Sequence, residues 1–413
     1  MKAQLSHGAA AIAEFGVVDN NLTVGDVPIP LLAERVGGTP FFAYSRDLIS
    51  KRITTLREML PDGTHVSYAI KANPMPAVVQ HIAGLIDGFD VASGRELKVA
   101  LDTPVSASRI SFAGPAKRSG ELSQAIAAGV LLNVESATEL RSIATAGERL
   151  GVTPRVAVRV NPDFEVKASG IRMGGGSKVF GIDAEQVPDV LREISELDLG
   201  FEGFHVFTGS QILNLDALVE IQRRTVELAI RLSDHAPDRV QVLNIGGGLG
   251  VPYFPGEEPL DLPAICDNLA ELTVTVSQAL PDARLVLELG RYLVAEAGIY
   301  VCRVVDRKLS RGKAFLVTDG GMHHHLIASG NLGQIVRRNF PVAIGNRMEE
   351  KNADTAVEVT GCLCTPFDVL ARDVFLPAAE IGDFIVIFQS GAYGPTTSPT
   401  MFLSHPAPVE VLV

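Results

Sequence analysis

Lys71 sits in Tyr68-Ala-Ile-Lys-Ala-Asn-Pro74, where it ends a short apolar run that reads as a strand and is followed almost at once by Asn73-Pro74. A desolvated lysine amine is what a Schiff base to a carbonyl-bearing cofactor requires; a lysine snorkelling from a strand end is the plain alternative. Glu288 and Arg291 stand together in Leu287-Glu-Leu-Gly-Arg291. They could simply pair, or they could divide the work: a carboxylate holding a ring nitrogen protonated, a guanidinium neutralising a phosphate. The glycines of Asn244-Ile-Gly-Gly-Gly-Leu-Gly250 can bring backbone N–H groups close to an anion. Without a Walker lysine or dinucleotide spacing, a single phosphate is the better match. His205 and Phe207 share one face of an extended segment, and Ser210 follows with a hydroxyl. An aromatic ring there could be core, or it could stack on a flat cofactor. Late in the chain Cys364 lies beside Thr365, Pro366 and Asp368, a setting suited to proton donation, whereas Cys362 reads as a small inert hydrophobe. His323, His324 and His325 are adjacent, so on a strand they point apart and cannot all chelate one ion. No metal is expected from them.

These residues need strands to carry them. Apolar, β-rich runs at 65–71, 88–91, 110–112, 131–134, 155–160, 201–207, 241–245 and 285–288 alternate with amphipathic segments such as 46–60, 75–86, 120–128 and 137–150. Eight βα repeats in this span match a closed (β/α)8 TIM barrel better than an open sheet. In such barrels the reactive groups collect at the C-terminal ends of the strands, where Lys71, His205, the 246–250 glycines and Glu288 fall. After Gly290 the texture turns to strands and turns. The expected division is therefore a barrel over residues 39–290 and a mainly β domain made of 1–38 and 291–413.

The chain of 413 residues, 46% hydrophobic and 20% charged, has ample material for two cores, and its net charge of −12 without a basic cluster argues against nucleic acid or an anionic membrane as partner. A small-molecule site is favoured. Four scattered cysteines suit neither a disulfide framework nor a Cys-x-x-Cys zinc site. The N-terminal stretch lacks the form of a secretory signal, and the apolar stretch 285–305 is interrupted by Glu288, Arg291, Glu296 and Arg303. A soluble, cytoplasmic protein is expected.

Taken together, Lys71, the 246–250 glycines, Glu288 to Arg291, Cys364 to Asp368 and Ser390-Gly-Ala-Tyr-Gly394 resemble, in the same order, the alanine-racemase-like pyridoxal-phosphate enzymes. Within these the chain is similar to the ornithine, arginine and diaminopimelate decarboxylases, over nearly its whole length. The resemblance implies pyridoxal 5'-phosphate bonded to Lys71, with Glu288 facing the pyridine nitrogen. It implies that Gly247, Gly248, Gly290, Arg291, Ser210 and Tyr393 hold the phosphate, with Asp90, Arg159 and His205 near the cofactor. It further implies a homodimer with shared sites, in which Cys364 and Asp368 complete the partner chain's site.

Departures from the family pattern bear on substrate. The position of the family's ring-stacking histidine falls on Phe207, which leaves stacking possible. Diaminopimelate decarboxylases follow Gly-Met with a segment containing an arginine that grips the distal carboxylate, where this chain has His323-His-His-Leu326. Ile171-Arg-Met-Gly-Gly175, Asp319 to His325 and Leu363-Cys-Thr-Pro366 resemble a narrower group that includes the decarboxylase of butirosin biosynthesis, which acts on glutamate tethered to an acyl carrier protein. The resemblance thus implies decarboxylation of a carrier-tethered or amide-linked amino acid in secondary metabolism, with Thr365, Asp368 and His324 near the substrate. Arg337 and Arg338 are candidate carrier contacts. A decarboxylase of a free diamino acid, a racemase on the same cofactor, and a cofactor-binding protein without turnover remain the alternatives.

Overall fold

The computed structural model describes residues 12–166, 171–334 and 337–413. The chain forms two units: Arg52–Val251 with Pro259–Tyr292, and the chain up to Lys51 with Pro252–Glu258 and Leu293–Val413.

The first unit holds eight strands, β1 Thr64–Ala69, β2 Gly88–Val91, β3 Ile110–Phe112, β4 Leu131–Val134, β5 Arg155–Asn161, β6 Gly200–His205, β7 Val242–Asn244 and β8 Arg284–Leu289. Each pairs in parallel with the next in sequence, and β8 pairs with β1, which closes the barrel. The expected (β/α)8 architecture is present, with all eight runs within a few residues of their expected bounds. The strands are apolar because both faces are covered, and β2 and β4 are buried at every position. Each successive pair of strands is joined through a helix whose buried residues recur at helical spacing, as in Leu140, Ile143, Ala146 and Gly147 of Ala137–Leu150, or Val187, Val190, Leu191 and Ile194 of Val187–Glu196.

Two helix starts pin strand ends that matter for the site. After β2, Ser93 Oγ accepts the Glu96 N–H at 3.2 Å while Glu96 Oε2 accepts the Ala92 N–H at 2.8 Å. After β4, Ser136 Oγ accepts the Glu139 N–H at 3.1 Å and Glu139 Oε2 accepts the Glu135 N–H at 2.7 Å. Both follow the Ser-x-x-Glu pattern that satisfies the unpaired N–H groups of a first helical turn, worth about 1 kcal/mol per cap.

Two expected strand ends are shorter than the sequence suggests. β1 stops at Ala69, and Lys71 lies in a single 3-10 turn, Ile70–Ala72, closed by the Asn73 N–H bonding to Ile70 O at 3.0 Å. β6 stops at His205, so Phe207 lies beyond the ladder; the chain bends there because Gly209–Ser210 pairs antiparallel with Ile171–Arg172. At the other end of β6 the register slips between Phe201 and Gly203, and a Cβ on Gly203 would stand 1.9 Å from Val242 O, so only glycine fits.

The second unit is mainly β. Gly298–Ser310 is its central strand, pairing with Lys313–Thr318, Phe384–Ile387 and Phe41–Tyr44. Val342–Ile344, Val357–Thr360, Val369–Val374 and Val409–Leu412 complete the sheet. Its core gathers Leu22, Ile29, Phe41, Ile299, Val386 and Phe388. Strand 41–44, placed with the barrel by the sequence reading, is hydrogen-bonded into this sheet, because its all-apolar run Phe-Phe-Ala-Tyr is covered on both faces there.

Candidate active site

Strand register alone assembles most of the candidate site. In parallel pairing His205 is the register partner of both Arg159 and Asn244, and Asp90 is the partner of Ser111 and of Ala69. Partners in register point to the same face, so these polar side chains form a layer near the C-terminal ends of the strands. Glu288 in β8, Lys71 just past β1 and Glu135 just past β4 complete it.

Lys71 Nζ lies 3.1 Å from Glu288 Oε1 and 3.8 Å from Asp90 Oδ2. The other Glu288 oxygen is 3.0 Å from His205 Nε2, a close polar contact outside good hydrogen-bond alignment, and accepts Asn244 Nδ2 at 3.4 Å. Asn244 Oδ1 in turn accepts the Gly246 N–H at 2.8 Å. Ser111 Oγ donates to Asp90 Oδ1 at 2.9 Å, leaving Asp90 Oδ2 buried with no hydrogen-bond donor.

Two buried carboxylates thus share one lysine. Burial opposes ionisation of Glu288, but the Lys71 ammonium and His205 outweigh it and hold the carboxyl below its usual range. Asp90 goes the other way: burial, then the nearby Glu288 charge, raise its pKa well above the ordinary value despite Lys71. Burial also lowers the His205 pKa in spite of the adjacent Glu288.

A second buried pair stands beside this cluster. Arg159 Nη1 donates to Glu135 Oε1 at 2.7 Å, and Glu135 also accepts the Gly114 N–H at 2.5 Å and the Gly181 N–H at 3.2 Å. Burial raises the Glu135 pKa, yet Arg159, then the Lys117 charge and the Gly114 N–H, bring it below the usual range.

The residues present fit pyridoxal 5'-phosphate. An ionised carboxylate buried at the barrel mouth suits a protonated ring nitrogen, and the buried Asp90 oxygen without a hydrogen-bond partner leaves a polar contact open. The Phe207 ring centroid is 5.3 Å from Lys71 Nζ, within reach of a planar group attached there. Gly246 and Gly248 have φ of +69° and +78°, and a Cβ on Gly247 would stand 2.1 Å from Glu288 O. Among the described residues the Gly247 and Gly248 N–H groups make no backbone hydrogen bond, which suits an anion cradle. Ser210 lies in the strand pair 209–210, Gly290 packs against Ala72, and Arg291 opens a short helix directly after β8.

The remaining sequence candidates belong to the β-rich unit. Cys364 is exposed and Thr365 half-buried. Asp368 is buried and accepts the Met322 N–H at 2.6 Å and the Leu363 N–H at 2.8 Å, so its carboxylate ties two turns together. His324 is buried with both nitrogens engaged, by Tyr300 Oη at 3.0 Å and Pro406 O at 2.9 Å. Its ring is therefore part of the framework. Tyr393 carries a positive φ of 56° in the turn that follows Ser390.

Sequence reasoning passed over Ser111, Glu135 and Asn244 as site residues. Each is a polar residue inside or just after a short apolar strand, at its C-terminal end, and that position was the available signal. A hollow lies toward the opposite ends of the strands, lined by His65, Arg109 and Arg284 among others. It reaches Ser111 and Asn244 from below but has neither the lysine nor Glu288 in its lining, and it is not the candidate site.

A closed parallel barrel with a lysine, a buried carboxylate and a glycine cradle at its C-terminal mouth defines a pyridoxal-phosphate barrel. The model of the pyridoxal-binding domain of pyridoxal-dependent decarboxylases matches residues 46–295. The chain is 37% identical over 388 residues, 91% of its length and 88% of the relative's, to the L-glutamyl-[BtrI acyl-carrier protein] decarboxylase of Niallia circulans. It is 31% identical to the diaminopimelate decarboxylase of Aquifex aeolicus, over 96% of this chain and 91% of that one. The crystal structure of a diaminopimelate decarboxylase from M. jannaschii in co-complex with L-lysine superposes with a TM-score of 0.87 at 26% identity, covering 98% of this chain and 93% of that one. The chain belongs to the family of pyridoxal-dependent decarboxylases, and its cofactor is pyridoxal 5'-phosphate. Among the described residues no helix is long and apolar enough to cross a membrane.

Proposed function

We propose that this chain removes the α-carboxylate of an L-amino acid whose far end is joined to an acyl carrier protein or held as an amide, a glutamyl group being the reference case. The observation that carries this reading is the state of His323, His324 and His325. All three are buried, and burial lowers their pKa values, to about 4 for His323 and about 3 for His325. Where the resemblance to diaminopimelate decarboxylases implies an arginine for a free distal carboxylate, this segment has buried histidines and no arginine. A thioester or amide carries no charge there and needs no such grip. The likeness to the glutamyl-carrier-protein decarboxylase supports the same substrate class.

In this reading Lys71, Glu288, Asp90, Phe207 and the Gly247–Gly248 cradle hold pyridoxal 5'-phosphate, with Arg159 and His205 beside it and Ser210, Gly290 and Arg291 toward the phosphate. When bound, it supplies an electron sink for the bond to the departing carboxylate. Glu288 keeps a proton on the ring nitrogen, and His205 and Asn244 keep Glu288 aimed. Cys364, supplied by the partner chain of a homodimer, delivers a proton to the α-carbon. Its exposure, and that of neighbouring Phe367 at 56%, suits a surface covered by a second chain. For the carrier, Arg337 is the better cation of its pair, since it donates to the uncharged Asn331 amide oxygen, whereas Arg338 is bonded to Glu257 at 2.9 Å and lies 3.9 Å from the Phe254 ring centroid.

The test is turnover of glutamyl thioester on a carrier protein against free glutamate, diaminopimelate and ornithine, with mass spectrometry following loss of carbon dioxide. Lys71→Ala serves as the parallel control. Turnover of the free diamino acids with none of the tethered substrate would replace this reading, and exchange of the α-proton without carbon dioxide would make the enzyme a racemase.

A further inference from the structure

Of the three consecutive histidines, two have partners for a ring nitrogen: His324 has both engaged, and His325 Nε2 meets Ser390 Oγ at 2.9 Å. His323 differs. Its side chain is fully buried, yet neither ring nitrogen has a hydrogen-bond partner. A buried imidazole with both nitrogens unsatisfied is costly unless something else occupies a lone pair. Two other metal-binding side chains converge on it. Its ring centroid is 5.2 Å from that of His405, and Cys362 Sγ lies 3.9 Å from the His405 ring nitrogens.

We propose that His323, Cys362 and His405 form a transition-metal site, with zinc as the fitting ion. One ligand atom from each lies within 4.8 Å of the others. With Zn–N of about 2.0 Å and Zn–S of about 2.3 Å, tetrahedral donors stand roughly 3.3–3.7 Å apart, so the widest pair closes by about 1 Å on binding. Two imidazoles and one thiolate are a borderline-soft set that suits zinc or cobalt and disfavours magnesium or calcium. A fourth position is left for water or for the Asp319 carbonyl, which is 3.6 Å from Cys362 Sγ.

The three ligands come from three separate segments: the turn after strand 313–318, the turn after strand 357–360, and the tail before strand 409–412. A bound ion joins them, and it fixes the turn that also carries Cys364. Binding is not redox chemistry. Cys362 gives up its thiol proton to solvent as the sulfur–metal bond forms, while neutral His323 binds through an existing lone pair. The spacing of the three residues, two of them isolated in sequence, gives no zinc pattern; only the fold brings them together.

The experiment uses the full-length, cofactor-loaded enzyme, stripped with a chelator and then given zinc chloride. The expected result is about one zinc retained per chain on elemental analysis. Cys362→Ser and His405→Ala should each weaken zinc binding at least ~100-fold, the upper end of what loss of an outer contact alone costs. In the wild type, zinc should protect Cys362 from alkylation, read by peptide mass spectrometry against the zinc-free enzyme. That arm decides the matter should a variant fail to fold. No retained zinc, equal retention by folded variants, or alkylation of Cys362 unchanged by zinc overturns the site.

Discussion

Oε2 of Glu288 lies 3.0 Å from Nε2 of His205, and both side chains are buried. The opposite oxygen of the same carboxylate faces Lys71 at 3.1 Å. Glu288 is thus gripped from two strands and one turn, and its aim at the barrel mouth follows from packing. Glu288→Gln keeps the shape and removes the charge. It should lower kcat by about 10²–10³, the range for losing one well-aimed electrostatic group, while the protein still binds cofactor. Absorbance of the cofactor-loaded variant and single-turnover rates check it; a kcat within about threefold of wild type removes Glu288 from the chemistry.

Cys364 tests the division of labour between chains. Cys364→Ala should still release carbon dioxide but deliver its proton to the wrong carbon, giving a carbonyl by-product at the expense of amine. Product analysis by mass spectrometry distinguishes the two. Mixing this variant with Lys71→Ala should restore up to a quarter of wild-type activity if the two residues act across a dimer, and none if both must come from one chain.

Arg159 and Glu135 form a buried pair at 2.7 Å, and each is a strand-end residue with little access to water. Arg159→Met leaves Glu135 ionised without its main counter-charge. Breaking a buried pair on one side costs about 3–5 kcal/mol, so the urea midpoint should drop sharply. A change below about 1 kcal/mol would show that the Gly114 and Gly181 N–H groups suffice.

His325 supplies a pH dependence. Its folded-state pKa, about 3, lies below the unfolded value near 6.5. Between these the unfolded chain binds the extra proton, so stability is full above pH 6.5 and is lost as pH falls toward 3, by up to ~1.4 kcal/mol per unit. Denaturant titrations at pH 7 and pH 5 should show the loss, and His325→Gln should reduce it, the buried His205, His323 and His324 supplying the remainder.

What the sequence determined by itself is the barrel and the decarboxylase family. Eight short β-branched or aromatic runs alternating with helical patterns admit little else, because strands covered on both faces are apolar throughout. A lysine, a glycine run and a carboxylate at the ends of such strands were legible as single residues. Their association was not: Glu135 with Arg159, Ser111 with Asp90, and Asn244 with Glu288 depend on register, which one sequence does not display. The run at 41–44 was misassigned for the same reason, since an apolar strand does not announce which sheet it joins. The three histidines show the limit most clearly. In sequence they are equivalent neighbours; in the fold Tyr300 and Pro406 take one, Ser390 takes another, and the third is left facing Cys362 and His405, because side-chain direction and tertiary neighbours, not adjacency, decide what an imidazole can bind.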